Sequence, residues 1–384
     1  MDFELSQEQK MFKNLARRFA EEEILPSLKE YEREGKLQRE NIRKLGQLGL
    51  IGSHIPEKYG GLHLDYLTCA IIWEQLAWGS FAQTLAACGP CSFGGTMVVK
   101  YGSEELKKKY LPPVCRGEKL MATCGVEPNA GSDVGATETI SVRDNDEWVI
   151  NGSKTWTTDL GYADWMVILA QTDKSKGVKG LSNFLIDRDQ SSGISQTSLE
   201  AIGDRSGNVG QARFRDTRIP SGNLIGEIGK GINNTLDSIT VARIFIAAGA
   251  LGIAQSCLEA SIKYAKERYQ FGRPIGQFQL VQEEIAQMSA EIEACRWQIY
   301  YAAHLLSNNI PCARVVSAAK LLASELAVRV SARAVHVHGA YGCSDDYPVA
   351  HHYRDAILTL VSAGTNGMHK LIIGRELLGI SAFV

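Results

Sequence analysis

Residues 234–270 read NTLDSITVARIFIAAGALGIAQSCLEASIKYAKERYQ. The apolar residues recur at helical spacing over the whole stretch, on more than one face, and no proline interrupts them. Such a run predicts a helix much longer than the usual three or four turns, buried among partners of its own kind. Two more stretches downstream have the same character: FQLVQEEIAQMSAEIEACRWQIYYAAHLLS (278–307) and ARVVSAAKLLASELAVRVSARAVHVHG (313–339). Three long helices in succession, with apolar surface left over, predict an up-and-down bundle that associates with further copies.

Upstream the period changes. DEWVING (146–152), DWMVILAQT (164–172), LSNFLIDRD (181–189) and ARFRDTRIP (212–220) run apolar or alternate over strand lengths between turn residues, which predicts a small β-barrel or sandwich. Before about residue 115 helical spacing returns. SQEQKMFKNLARRFAEEEILPSL begins with a capping serine, and LDYLTCAIIWEQLAWG and SEELKKKYLPPV read as further helices. The expected organisation is therefore α+β and mostly α: a helical domain over 1–118, a β-barrel domain over 119–225 and a helical bundle over 226–384.

Composition narrows the class of function. The 384 residues are 45% hydrophobic and 22% charged, with a net charge of −2 and no basic block longer than three lysines. That balance argues against a nucleic-acid or membrane-surface partner. The first residues, MDFELSQEQK, contain no apolar core of a signal peptide, and no run reaches about 18 uninterrupted apolar residues. A cytoplasmic protein is expected.

The chemistry-bearing residues form no common catalytic motif. G-x-G-x-x-G after a strand, G-x-x-x-x-G-K-[ST] and H-E-x-x-H are all missing from the sequence. His336-x-His338 and the adjacent His351-His352 have spacings that point to different helix faces, so they read as surface or cap histidines, and no metal is expected. Cys88-x-x-Cys91 has the spacing of a redox dithiol but lacks the strand-to-helix entry such sites use. Three turn-rich stretches carry more. GVEPNAGSDVG (125–135) offers backbone N–H groups and Ser132 for a polar ring or phosphate. TWTTDLG (155–161) sets an aromatic face beside hydroxyls, and ERYQFGRPIGQFQ (267–279) places Arg268 and Arg273 around a glycine turn suited to a pyrophosphate.

Taken in order, PEKYGG (56–61), GSEELKKKYLPP (102–113), VEPNAGSD (126–133), NGSKTWTTD (151–159), RFRDTRIP (213–220), RYQFGRPIGQFQ (268–279), HGAYG (338–342) and GT–LIIGRELLG (364–379) resemble the acyl-CoA dehydrogenase family of flavoproteins over essentially the whole chain. The resemblance implies non-covalent FAD, a homotetramer or homodimer, an acyl thioester on CoA or an acyl carrier protein, and an electron-transfer flavoprotein as acceptor. It further implies that the loop around Val126 and Ser132 wraps the flavin, that Trp156 covers the ring and that Thr158 bonds its reactive edge. Arg268, Phe278, Gln279, His336 and Gly339 would reach the adenine dinucleotide of a neighbouring subunit, and Thr365 would touch FAD again.

Departures from the family pattern concern the base. The turn before Gly364-Thr365 usually carries a glutamate that removes the substrate's α-proton, and some members place it before the arginine matching Arg243. This sequence has Ala363 and Ala242 at those positions, so both are empty. Thr240 stands where many CoA-dependent members have an aspartate. Three expectations compete: a base relocated to Asp159 or His369; a hydroxylated or acidic substrate, as in the carrier-protein dehydrogenases of polyketide assembly that the WTT-x-x-x-YAD run (156–164) also resembles; or a flavoprotein acting as a reductase or binding module. Losing two carboxylates while keeping Arg243 leaves the expected acyl pocket positive.

Overall fold

The computed structural model describes residues 4–382. Seven α-helices open the chain: α1 (Gln7–Phe19), α2 (Leu25–Glu34), α3 (Arg39–Gln47), α4 (Tyr66–Gly79), α5 (Phe81–Pro90), α6 (Thr96–Tyr101) and α7 (Glu104–Cys115). Ser6 caps α1 by a reciprocal box, its hydroxyl accepting from the Gln9 N–H while the Gln9 side chain accepts from the Ser6 N–H. The single helix expected over 6–28 is instead two, joined by a π-turn at Ala20–Ile24. Pro26, in the first turn of α2, has no N–H to donate four residues back, and the wider turn carries the chain past it.

Eight strands follow: β1 (Met121–Cys124), β2 (Ile140–Asp144), β3 (Glu147–Thr157), β4 (Trp165–Gln171), β5 (Leu181–Asp187), β6 (Ile194–Ser198), β7 (Gly210–Pro220) and β8 (Leu224–Ile225). They form one sheet in the order β6-β7-β3-β2-β4-β5-β8, with β1 parallel to β4. β2 and β4 meet only through Ile140 and Gln171, so the sheet has two halves hinged at that bridge. β4 and β5 are buried along their whole length, which explains why both read as continuous apolar runs rather than alternating ones.

The long helices are α8 (Gly231–Glu267), α9 (Gln279–Ser307) and α10 (Ala313–His338), completed by α11 (Pro348–Thr359) and α12 (Asn366–Leu378). α8 is long and apolar enough to cross a membrane, yet 89% of its apolar window is buried inside the protein. It is the core helix of the molecule. Gly252 makes that possible: a Cβ there would lie 2.3 Å from the Glu74 carbonyl oxygen of α4, so the two backbones can meet only at glycine.

Candidate active site

One group of the expected residues is assembled at the end of β3. The Thr155 N–H donates to the Val126 carbonyl at 2.8 Å, which ties the 125–135 loop to the strand. Beneath this, buried Glu127 accepts from Lys154 Nζ at 2.7 Å and from the N–H groups of Glu138 and Thr139 at 2.6 and 3.0 Å. Burial opposes the charge on Glu127, but Lys154 and these donors together hold its carboxyl below the usual range. With loop and strand locked, Trp156 takes a left-handed backbone (φ 53°) and turns its indole outward, 58% exposed. An exposed indole on a strained backbone position suits a flat ring stacked on it. Ser132 is exposed on the same loop and Thr158 is half-buried two residues beyond Trp156.

A second group gathers at the far ends of the long helices. The turn between α8 and α9 carries Arg268, Phe278 and Gln279, and the Arg268 guanidinium lies 5.5 Å from the Tyr341 ring centre. That contact brings it beside the 336–340 stretch. Gly339 ends α10 at φ 60°, ψ −137°, a conformation reserved for glycine, with open space around it, and His336 is exposed one turn before. Both groups fit FAD: an aromatic face and loop for the ring, cations and open backbone for the dinucleotide.

The third element is the turn 361–365. Thr365 caps α12, its hydroxyl accepting from the Met368 N–H at 3.3 Å. Ala363 is left-handed (φ 54°) and Gly364 follows at φ 102°. The Ala363 carbonyl accepts from Arg243 Nε at 3.2 Å. Behind the turn, Lys320 on α10 is fully buried and donates to the carbonyls of Leu360 (3.2 Å) and Gly364 (2.8 Å) and to Asn366 Oδ1 (3.0 Å). Burial, with Arg243 nearby, pushes its ammonium down to about 7. His369 is also fully buried, its two ring nitrogens without a bonded partner. Burial and the neighbouring Lys320 and Arg243 push it down to about 3, so it is neutral. Lys320 escaped sequence reasoning, and the available signal was a lone lysine inside the apolar run VVSAAKLLASELAV.

Several expectations change. Asp159 does not face the ring site. Its carboxyl is 5% exposed, one oxygen lacks a partner, and its neighbours are Asp204, the Asn208 backbone and Arg39. His351 and His352 are not surface groups: burial drives both well below their usual range, and His352 shares a hydrogen bond with Ser256 at 2.8 Å. His338 is likewise buried, bonded to the Ala334 carbonyl at 2.7 Å. Cys88 and Cys91 are buried thiols, Cys88 pushed up to about 12 by desolvation, which leaves no thiolate for exchange. No group of three or more potential metal ligands occurs among the described residues. The Thr240 hydroxyl donates back to the Leu236 carbonyl of its own helix.

Elsewhere, a cavity of about 530 Å³ is lined by Arg17, Glu259, Arg296 and Glu74, but those charges pair with one another. It is a structural ion network between the first and last helical regions.

Three family models match consecutive parts of the chain: the N-terminal domain of acyl-CoA dehydrogenase at residues 6–118, the middle domain at 122–217 and the C-terminal domain at 229–378. Glutaryl-CoA dehydrogenase of Desulfococcus multivorans is 38% identical over 99% of this chain and 99% of its own. The caffeyl-CoA reductase-Etf complex subunit CarC of Acetobacterium woodii is 36% identical over 97% and 99%. Among solved structures, butyryl-CoA dehydrogenase of Megasphaera elsdenii superposes with a TM-score of 0.95 at 35% identity, covering 98% of this chain and 100% of that one. The prolyl acyl carrier protein oxidase AnaB does so with a TM-score of 0.93 at 31% identity, covering 98% and 100%. The chain belongs to the acyl-CoA dehydrogenase family, whose members are FAD-dependent oxidoreductases.

Proposed function

We propose that this flavoprotein oxidises an acyl thioester whose own acidity, or own charge, replaces the carboxylate base that a simple saturated acyl group demands. The observation that carries the reading is the turn itself. The residue before Gly364-Thr365 is alanine, the residue before Arg243 is alanine, and the titratable groups behind the turn are an arginine, a lysine lowered to about 7 and a histidine held neutral, none of them a carboxylate. An α-proton next to a thioester is weakly acidic, and a positioned base typically contributes roughly 10²–10⁴-fold to its removal. A hydroxyl or aldehyde hydrate gives up its proton far more easily, and an acidic acyl group suits the positive surroundings.

FAD supplies the hydride acceptor. The chain's own part is to cover the ring with Trp156, to bond its reactive edge through Thr158, and to engage it through Val126, Ser132 and Thr365. Arg268, Phe278, Gln279, His336 and Gly339 serve the dinucleotide. Exposed Phe271, Leu280, Leu377 and Ile380 at the bundle surface support a homo-oligomer, dimer or tetramer. Similarity to a carrier-protein oxidase supports a thioester borne by an acyl carrier protein as well as by CoA, in a cytoplasmic secondary-metabolic role such as polyketide assembly. Similarity to a reductase working in a complex with an electron-transfer flavoprotein supports such a flavoprotein as redox partner, and it favours a second reading in which the chain works in the reducing direction and takes its proton from water.

Anaerobic flavin absorbance tests the proposal. A hydroxyacyl- or glyceryl-carrier protein bleaches the flavin and butyryl-CoA leaves it oxidised; fast bleaching by butyryl-CoA overturns the reading. Ala363→Glu is expected to create α,β-desaturation of butyryl-CoA.

A further inference from the structure

Arg243 is a cation without an anion. α8 holds it largely buried, and burial alone lowers it to about 10, with no carboxylate opposing that effect. Among the described residues no Asp or Glu oxygen lies within 4.0 Å of it, whereas the similarly buried Arg17, Arg296 and Arg354 each have such a partner. Its Nε is spent on the Ala363 carbonyl, while Nη2 lies 3.8 Å from the point where a Cβ on Gly364 would sit. The nearest charged and titratable groups compound the imbalance. Lys320 bonds only neutral oxygens, and His369, with both nitrogens unpartnered, adds no negative charge.

Leaving a largely buried guanidinium uncompensated costs several kcal/mol. A guanidinium whose Nε is engaged still has its Nη donors to offer to a carboxylate. The turn residue whose carbonyl it bonds is Ala363, whose methyl packs against the core and brings no charge to the guanidinium. That residue takes a left-handed backbone, its carbonyl on the arginine and its side chain ending at the methyl.

We propose that Arg243 is the seat of a carboxylate carried by the acyl group of the substrate, at the turn where the chain itself supplies Ala363. This rests on the reading above that the chain handles an acidic thioester, and it adds the residue that selects for one. Arg243 is then a specificity-determining contact rather than a buried structural cation.

Binding to the FAD-loaded protein, measured anaerobically by titration calorimetry, tests the seat with two matched pairs. Methylmalonyl-CoA and isobutyryl-CoA differ by a carboxylate in place of a methyl beside the thioester; glutaryl-CoA and pentanoyl-CoA differ at the far end. In at least one pair the acid is expected to bind ten-fold or more tighter, and Arg243→Gln is expected to bring that ratio to about one without weakening the alkyl partner. Ala363→Glu, which supplies a carboxylate from the protein, is expected to abolish the same preference, so the test survives if Arg243→Gln fails to fold. A ratio near one in both pairs for the unaltered protein overturns the seat, whatever the flavin does. A retained preference in Ala363→Glu or Arg243→Gln also overturns it. Bleaching by butyryl-CoA would instead sink the proposed chemistry while the binding ratio stood.

Discussion

Two buried clusters in this molecule carry opposite charge problems. Where the β-domain meets the helices, Glu32, Asp159, Asp204 and Asp355 crowd together. Asp355 accepts from the Asp204 N–H at 2.8 Å, and both oxygens of Asp204 and one each of Asp159 and Asp355 have no partner. Burial pushes Glu32 and Asp159 up to about 7, Asp355 to about 6 and Asp204 well above its ordinary value, and repulsion from neighbouring carboxylates adds to it for Glu32 and Asp204. At the 361–365 turn, Arg243, Lys320 and His369 crowd in the same way. The carboxyls solve their problem alone by binding protons, and His369 by staying neutral. Arginine has no such escape at physiological pH, so the cationic cluster needs something from outside the chain.

Removing Lys320 breaks the comparison most severely. Lys320→Met removes the donor to the Gly364 carbonyl and takes one of two donors from Leu360 O and Asn366 Oδ1, which keep the Asn366 N–H and the Ser324 hydroxyl. A loss of about 1–3 kcal/mol in unfolding free energy is expected. Thermal unfolding reads it, and a midpoint unchanged within a degree would mean those acceptors find other donors.

The pH dependence sharpens the contrast because the clusters have opposite signs. Carboxyls raised in the folded state bind more protons folded than unfolded, so their contribution is complete below pH about 4 and is lost as pH rises through 6–7. Lys320, lowered in the folded state to about 7, binds fewer protons folded than unfolded between about pH 7 and 10.4, so its contribution recovers as pH rises through that window. Chemical denaturation from pH 5 to pH 9.5 should show a falling limb and then a shallower one. Asp204→Asn is expected to stabilise by about 1–2 kcal/mol at pH 8 and by little at pH 5. Equal effects at both values would place the ionisation elsewhere.

The smallest change is at the turn. Ala363→Gly relieves the left-handed backbone and is expected to stabilise by no more than about 1 kcal/mol, with the Arg243 bond to the 363 carbonyl retained. Destabilisation would show that the contacts of the methyl with the core outweigh the backbone strain.

Helices, strands and the flavin-facing motifs could be read from local order, because helical period, caps and turn residues are set by neighbours a few positions apart. The β1, β2, β6 and β8 strands were not legible: they are short, and they persist by pairing with longer partners. The sequence also showed that the turn has no base. It could not show that Asp159 is buried beside Asp204, that the histidine pair is desolvated, or that Arg243 meets a carbonyl 120 residues away with no acid beside it. Residue type determined which groups could carry charge. Only the tertiary structure decided which of them keep it, since desolvation and the choice of neighbours are properties of packing.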